Sequence, residues 1–107
     1  MPWPRRKKTE EDIAGLEGLG RAVRELREKG DLSQAQVADR AGLDFTTIYA
    51  VERAAVELTW ANLRRLAGGL DVDLDALIEL AEALAPGKGG EGWRLWSWAA
   101  ERERGLG

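Results

Sequence analysis

The sequence predicts an all-α fold, and three features carry that expectation. The apolar residues are chiefly Leu, Ala and Val, with one Phe, one Tyr and five Trp, a mix that suits helices better than strands. They recur at steps of three and four, which gathers side chains on one face of a helix. Ser, Thr, Asp and Gly separate the apolar runs, at the places where helices start and stop. A chain of 107 residues suits one domain with tails. Its core is small, because short chains bury a smaller share of their surface.

Residues 1–10 are Pro-rich, basic and unpatterned, and read as a mobile arm. Leu16, Leu19, Val23 and Leu26 then share one face of a first helix, which Gly30-Asp31 stops. Ser33 opens a second helix, its hydroxyl capping the N–H of Gln36 while the Gln36 side chain reaches back. Val37, Ala38 and Ala41 follow, and Gly42 supplies the left-handed backbone of a sharp turn. Asp44 is the N-cap expected for a third helix that turns Ile48 and Val51 inward and stops near Arg53. Thr59 caps a fourth, with Leu63, Leu66, Ala67 and Leu70 on one side. A fifth starts at or near Asp73 and carries Leu74, Leu77, Ile78, Ala81 and Leu84. The segment from Pro86 to Gly92 is a Gly-rich linker by composition. In the last segment Trp93, Trp96 and Ala100 can share a helical face, while Trp96 and Trp98 can equally alternate as a strand. The resulting division is a basic arm over 1–12, a helical domain over 13–85, a linker over 86–92 and a Trp-rich segment over 93–107.

Several function classes are set aside. The chain holds no Cys and no His, which removes disulfide frameworks, imidazole or thiolate metal sites, and Ser-His-Asp or Cys-His nucleophiles. No carboxylate pair stands out for acid/base work. The expectation is a protein that is not an enzyme and takes no cofactor or metal. With no apolar run to cross a bilayer and no secretory signal, the expected location is the cytoplasm, away from membranes. The net charge is −3. Residues 16–85 hold eight basic and thirteen acidic groups, so any hold on nucleic acid must use a local surface and not bulk charge.

The informative stretch is Ser33 to Arg53, two short helices joined by a tight Gly turn. Such a pair makes one helix protrude, and a protruding helix fits the major groove, about 12 Å wide. The stretch Leu19 to Leu80 resembles the Cro and phage-repressor (XRE-like) helix-turn-helix family. The resemblance rests on Val23-Arg24-Glu25-Leu26-Arg27, Leu32-Ser33-Gln34, Val37-Ala38 and Gly42-Leu43-Asp44. It continues through Ile48, Val51-Glu52-Arg53, Thr59, Leu63, Leu66-Ala67, Leu70, Val72, Leu74 and Leu77. It implies a five-helix repressor-type domain, extended here by the Trp-rich segment. It further implies a homodimeric DNA-binding transcriptional regulator, a repressor, whose recognition helix 44–53 reads the major groove.

By position, the resemblance places Phe45, Thr46, Tyr49 and Ala50 at base edges. It places Gln34, Gln36, Arg40, Thr47 and Arg53 at phosphates, and pairs Arg27 with Glu52. Plain capping is an equal reading of Gln34 and Gln36, and packing on its own turn an equal reading of Phe45. Phe45 can touch a thymine methyl and Thr46 can make one hydrogen bond, but no Gln, Asn or Arg occupies a base-reading position. Asp44 stands where the family has Ser or Thr, Ala54 where it has Gly, and Leu58 where it has Pro. A differently shaped loop after the third helix is the consequence expected. Arg5 to Lys8 form either a solvated tail or an arm along DNA. Trp93, Trp96 and Trp98 are expected to dock on this chain, a second copy or a separate protein partner, with Trp60 in the receiving surface. The alternative to a DNA regulator is a protein-interaction module, or an antitoxin, that keeps the helix-turn-helix shape.

Overall fold

In a computed structural model the chain is described over residues 8–87, and within them it forms five helices. These are α1 (Glu10–Lys29), α2 (Gln34–Ala41), α3 (Phe45–Glu52), α4 (Trp60–Gly69) and α5 (Leu74–Leu84). Among the described residues there is no strand. The segment 88–107, with Trp93, Trp96 and Trp98 and most of the linker, lies outside the described residues, as do residues 1–7 of the arm.

Each helix contributes to one core. The largest side chains removed from solvent are Val23 of α1, Val37 of α2, Ile48 and Val51 of α3, Leu66 of α4 and Leu77 of α5. Burial of a side chain of this size stabilises by roughly 1.5–3 kcal/mol. The longest helix, α1, packs along α5 and against α3, while α2 packs against α3 and α4. Three of these contacts need glycine, at Gly18 of α1 against the Ala81 carbonyl oxygen of α5, at Gly20 and at Gly69. A Cβ on Gly20 would stand 2.6 Å from the Val51 carbonyl oxygen, and one on Gly69 would stand 2.7 Å from the Ala41 Cβ. The helices meet there closer than any side chain permits.

Helix ends follow local rules. Ser33 and Gln36 form the expected capping box, and the Thr59 hydroxyl accepts from the Asn62 N–H at 3.1 Å. The first helix starts earlier than its apolar pattern suggests, inside the segment assigned to the arm. Thr9 caps Asp12 and the Asp12 carboxylate accepts from the Thr9 N–H, a second capping box. At Asp44 and Asp73 the expected side-chain cap is not made. Both residues have the extended backbone of an N-cap, and their carbonyls, not their carboxylates, take the first helical N–H groups.

Four helices stop in one way. The N–H groups of Leu32, Leu43, Ala55 and Val72 bond to carbonyls five residues back, each after a residue of positive φ. That residue is Gly42 at the second stop, as expected. At the first it is Asp31 (φ 57°), and Gly30 has φ −85°. Asp tolerates this conformation and carries out the turn one position later than the glycine suggests. At the third stop it is Ala54, at φ 59°. The alanine thus adopts a backbone that glycine takes without strain, so losing the family's glycine leaves this turn with a glycine-like backbone and a steric cost.

Candidate nucleic-acid interface

Helix α3 has two faces with different chemistry. Its inner face holds Ile48 and Val51 in the core and ends on Glu52, whose side chain is 1% exposed. A buried carboxylate is costly unless its lone pairs are taken. Here Arg27 Nε donates to Glu52 Oε2 at 2.6 Å, Arg27 Nη2 donates to Oε1 at 3.0 Å, and Gln34 Nε2 donates to Oε1 at 3.0 Å. Arg24 Nε lies 3.7 Å from Oε1. Arg27 Nη1 also donates to the Leu32 carbonyl at 3.0 Å, beyond the end of α1. The forked pair ties α1 to α3, and Gln34 adds α2. The Arg27 pKa is raised, first by the hydrogen bond to Glu52, with burial opposing and the charges of Glu52 and Glu28 assisting. A raised pKa on a cation means stability that is fully present below the group's ordinary pKa, so Arg27 stays charged at any pH in common use.

The outer face carries the other set. Phe45 is 50% exposed and Tyr49 47% exposed. One helical turn apart, their rings stack with centroids 6.4 Å apart and planes at 26°. The Arg53 guanidinium lies 5.4 Å from the Tyr49 centroid, a cation–π contact. Phe45, Tyr49 and Arg53 therefore make one continuous ridge. Thr46 is exposed beside it, Ala50 and Thr47 are partly exposed, and Arg40 is exposed on α2. The expected base-reading residues thus come together on one surface, next to Arg53.

Of the residues expected at phosphates, two have side-chain hydrogen bonds within the chain. The Gln34 amide donates to Glu52, which uses one of its two N–H donors. The Gln36 carbonyl oxygen accepts from the Ser33 N–H at 2.8 Å. The capping reading of Gln36 is what the structure records, and Gln34 takes part in the Glu52 network. Sequence reasoning missed that network beyond Arg27, because nothing local links positions 24 and 34 to 52. It also missed the ridge, although the four-residue spacing of Phe45, Tyr49 and Arg53 was there to be read. Trp60, at the start of α4, is 62% exposed. Lys8 lies 3.9 Å from Glu57, both exposed, a pairing of little energetic weight. Among the described residues no cluster of carboxylates could hold a metal ion, and no helix is long and apolar enough to cross a membrane.

A family model described as a helix-turn-helix domain matches residues 18–81, which span α2 and α3 and end inside α5. The chain belongs to this helix-turn-helix family. The XRE-like resemblance is thereby supported as to family and fold. Among solved structures, the chain is similar to the restriction-modification controller protein C.AhdI from Aeromonas hydrophila. Identity is 36% and the TM-score 0.58, over 60% of this chain and 97% of that one. It is also similar to the wild-type restriction-modification controller protein C.Esp1396I, at 25% identity and TM-score 0.59, over 63% of this chain and 86% of that one. A third is a hypothetical transcription factor, NHTF, from Neisseria, at 28% identity and TM-score 0.56, over 72% of this chain and 86% of that one. No curated protein matches the sequence.

Proposed function

We propose that this chain is a sequence-specific DNA-binding transcriptional regulator, a cytoplasmic homodimeric repressor that places α3 in the major groove. One observation carries the proposal: α3 is locked by its inner face through Glu52 and bare on its outer face, where Phe45, Thr46 and Tyr49 stand exposed. A helix held on one side and open on the other presents side chains to a groove without moving. Two of the similar proteins are restriction-modification controllers and one is described as a transcription factor, which supports the class.

In this reading Thr46, Tyr49 and Ala50 meet base edges together with Phe45. Arg40, Arg53, Thr47 and the second amide N–H of Gln34 hold phosphates, with Gln36 contributing through its amide nitrogen. Two copies read half-sites about 34 Å apart, one turn of the duplex. The net charge of −3 confines the attraction to this basic edge, so few counterions are released per copy.

The test is selection of duplexes from a random pool by the full chain, then titration of the winner across a salt series. A two-fold symmetric consensus and an affinity that falls with salt are expected. Absence of duplex binding at low salt would sink the reading in favour of a protein-interaction module.

A further inference from the structure

We propose that the Phe45–Tyr49 ridge recognises the C5-methyl groups of thymine, so that the preferred duplex carries adjacent thymines where this ridge meets it. The inference rests on the DNA-binding reading above and gives it a ligand chemistry. Base recognition through α3 is usually expected from amides and guanidinium groups, but the exposed face of this helix presents a hydrocarbon ring flanked by a phenol. Phe45 has no donor or acceptor, so it gains nothing from the polar edges of guanine, adenine or cytosine. Those edges would lose water against the ring with no bond in return. The thymine methyl is the one apolar group a base pair offers in the major groove.

The ridge is also built to hold its shape. Stacking at 6.4 Å braces Phe45 on Tyr49, and Arg53 at 5.4 Å braces Tyr49 in turn. A pre-ordered aromatic pair binds with less loss of rotamer freedom than two loose side chains. One helical turn advances about 5.4 Å and one base-pair step about 3.4 Å, so the two rings together cover one to two steps. Half of each residue is open to solvent, which leaves area for a methyl to bury.

The experiment uses the full chain and the duplex selected above. Each thymine is replaced in turn by deoxyuridine, which keeps the base pair and the O4 acceptor and lacks only the methyl. We expect one or two positions per half-site at which binding weakens, by about fourfold per methyl removed. In the Phe45→Ala variant, the thymine and uridine duplexes should bind alike at the position this ring covers. Phe45 is half exposed, so this variant should keep its helical circular dichroism and melting temperature. Uridine duplexes that bind as tightly as thymine duplexes at every position would overturn the inference. So would a uridine penalty that persists undiminished in Phe45→Ala. Failure of the underlying reading is seen separately and earlier, as no duplex bound by the full chain, and it overturns both.

Discussion

The inner and outer faces of α3 belong to one eight-residue helix, yet they answer to different physics. On the inner face every group has a partner: Ile48 and Val51 are enclosed, and Glu52 takes three hydrogen bonds from Arg27 and Gln34. On the outer face Phe45 and Tyr49 are half exposed, stacked on each other, with Arg53 over the Tyr49 ring. The inner face decides where the helix stands, and the outer face decides what it meets. Substitutions on the two faces should therefore separate into changes of stability and changes of preference, and that separation can be tested.

The largest effect is expected at Glu52. Glu52→Ala leaves a largely buried arginine without its anion, and breaking one side of such a pair costs about 3–5 kcal/mol. Thermal melting should fall by about 10 °C or more, and duplex affinity should fall with it for every sequence. A variant that melts normally would show that the inner face does not hold the helix. Next comes Gly20→Ala, where alanine gains about 1 kcal/mol of helix propensity. The added methyl, however, meets the Val51 and Glu52 carbonyl oxygens at 2.6 and 2.9 Å. Backbone cannot give way as a side chain can, and overpacking costs about 1–3 kcal/mol. A net drop in melting temperature is expected, and a rise would contradict the close approach of α1 to α3.

A gain is expected at Ala54→Gly. The left-handed conformation costs an L-residue about 1–2 kcal/mol, while the greater freedom of glycine in the unfolded chain takes back about 0.4–1 kcal/mol. Stability should rise by roughly 0.5–1 kcal/mol, seen as a melting temperature a few degrees higher with DNA preference unchanged. The smallest effect on stability belongs to Arg40→Ala. Its signature is uniform weakening on all duplexes and a salt dependence shallower by about one ion. A change in selected sequence there would blur the division between phosphate and base contacts.

The helices were legible because their signals are local. Ser33 with Gln36, the Thr59 cap and the Gly42 turn are each decided by a few neighbouring residues. The errors are local as well. The Thr9–Asp12 box lies in a charged run without apolar spacing, which hid the first turn of α1. At the other end of α1, Asp31 rather than its glycine neighbour takes the left-handed turn. The exposed face of α3 was legible in its residues, and the bonds beneath it were less so. The resemblance joined Arg27 to Glu52, but Gln34 and Arg24 reach the same carboxylate only once three helices have assembled. No pattern in sequence spacing encodes that meeting.

Where α1 crosses α3 at Gly20 backbone meets backbone, and where α4 crosses α2 at Gly69 only the Ala41 methyl stands between the two helices. Surfaces in such contact cannot slide or admit a wedge without first separating, because packed interiors have almost no slack. The domain should therefore behave as a stiff mount. Anything coupled to it, a second copy or a neighbouring domain, would aim α3 by steering the whole body rather than by bending it.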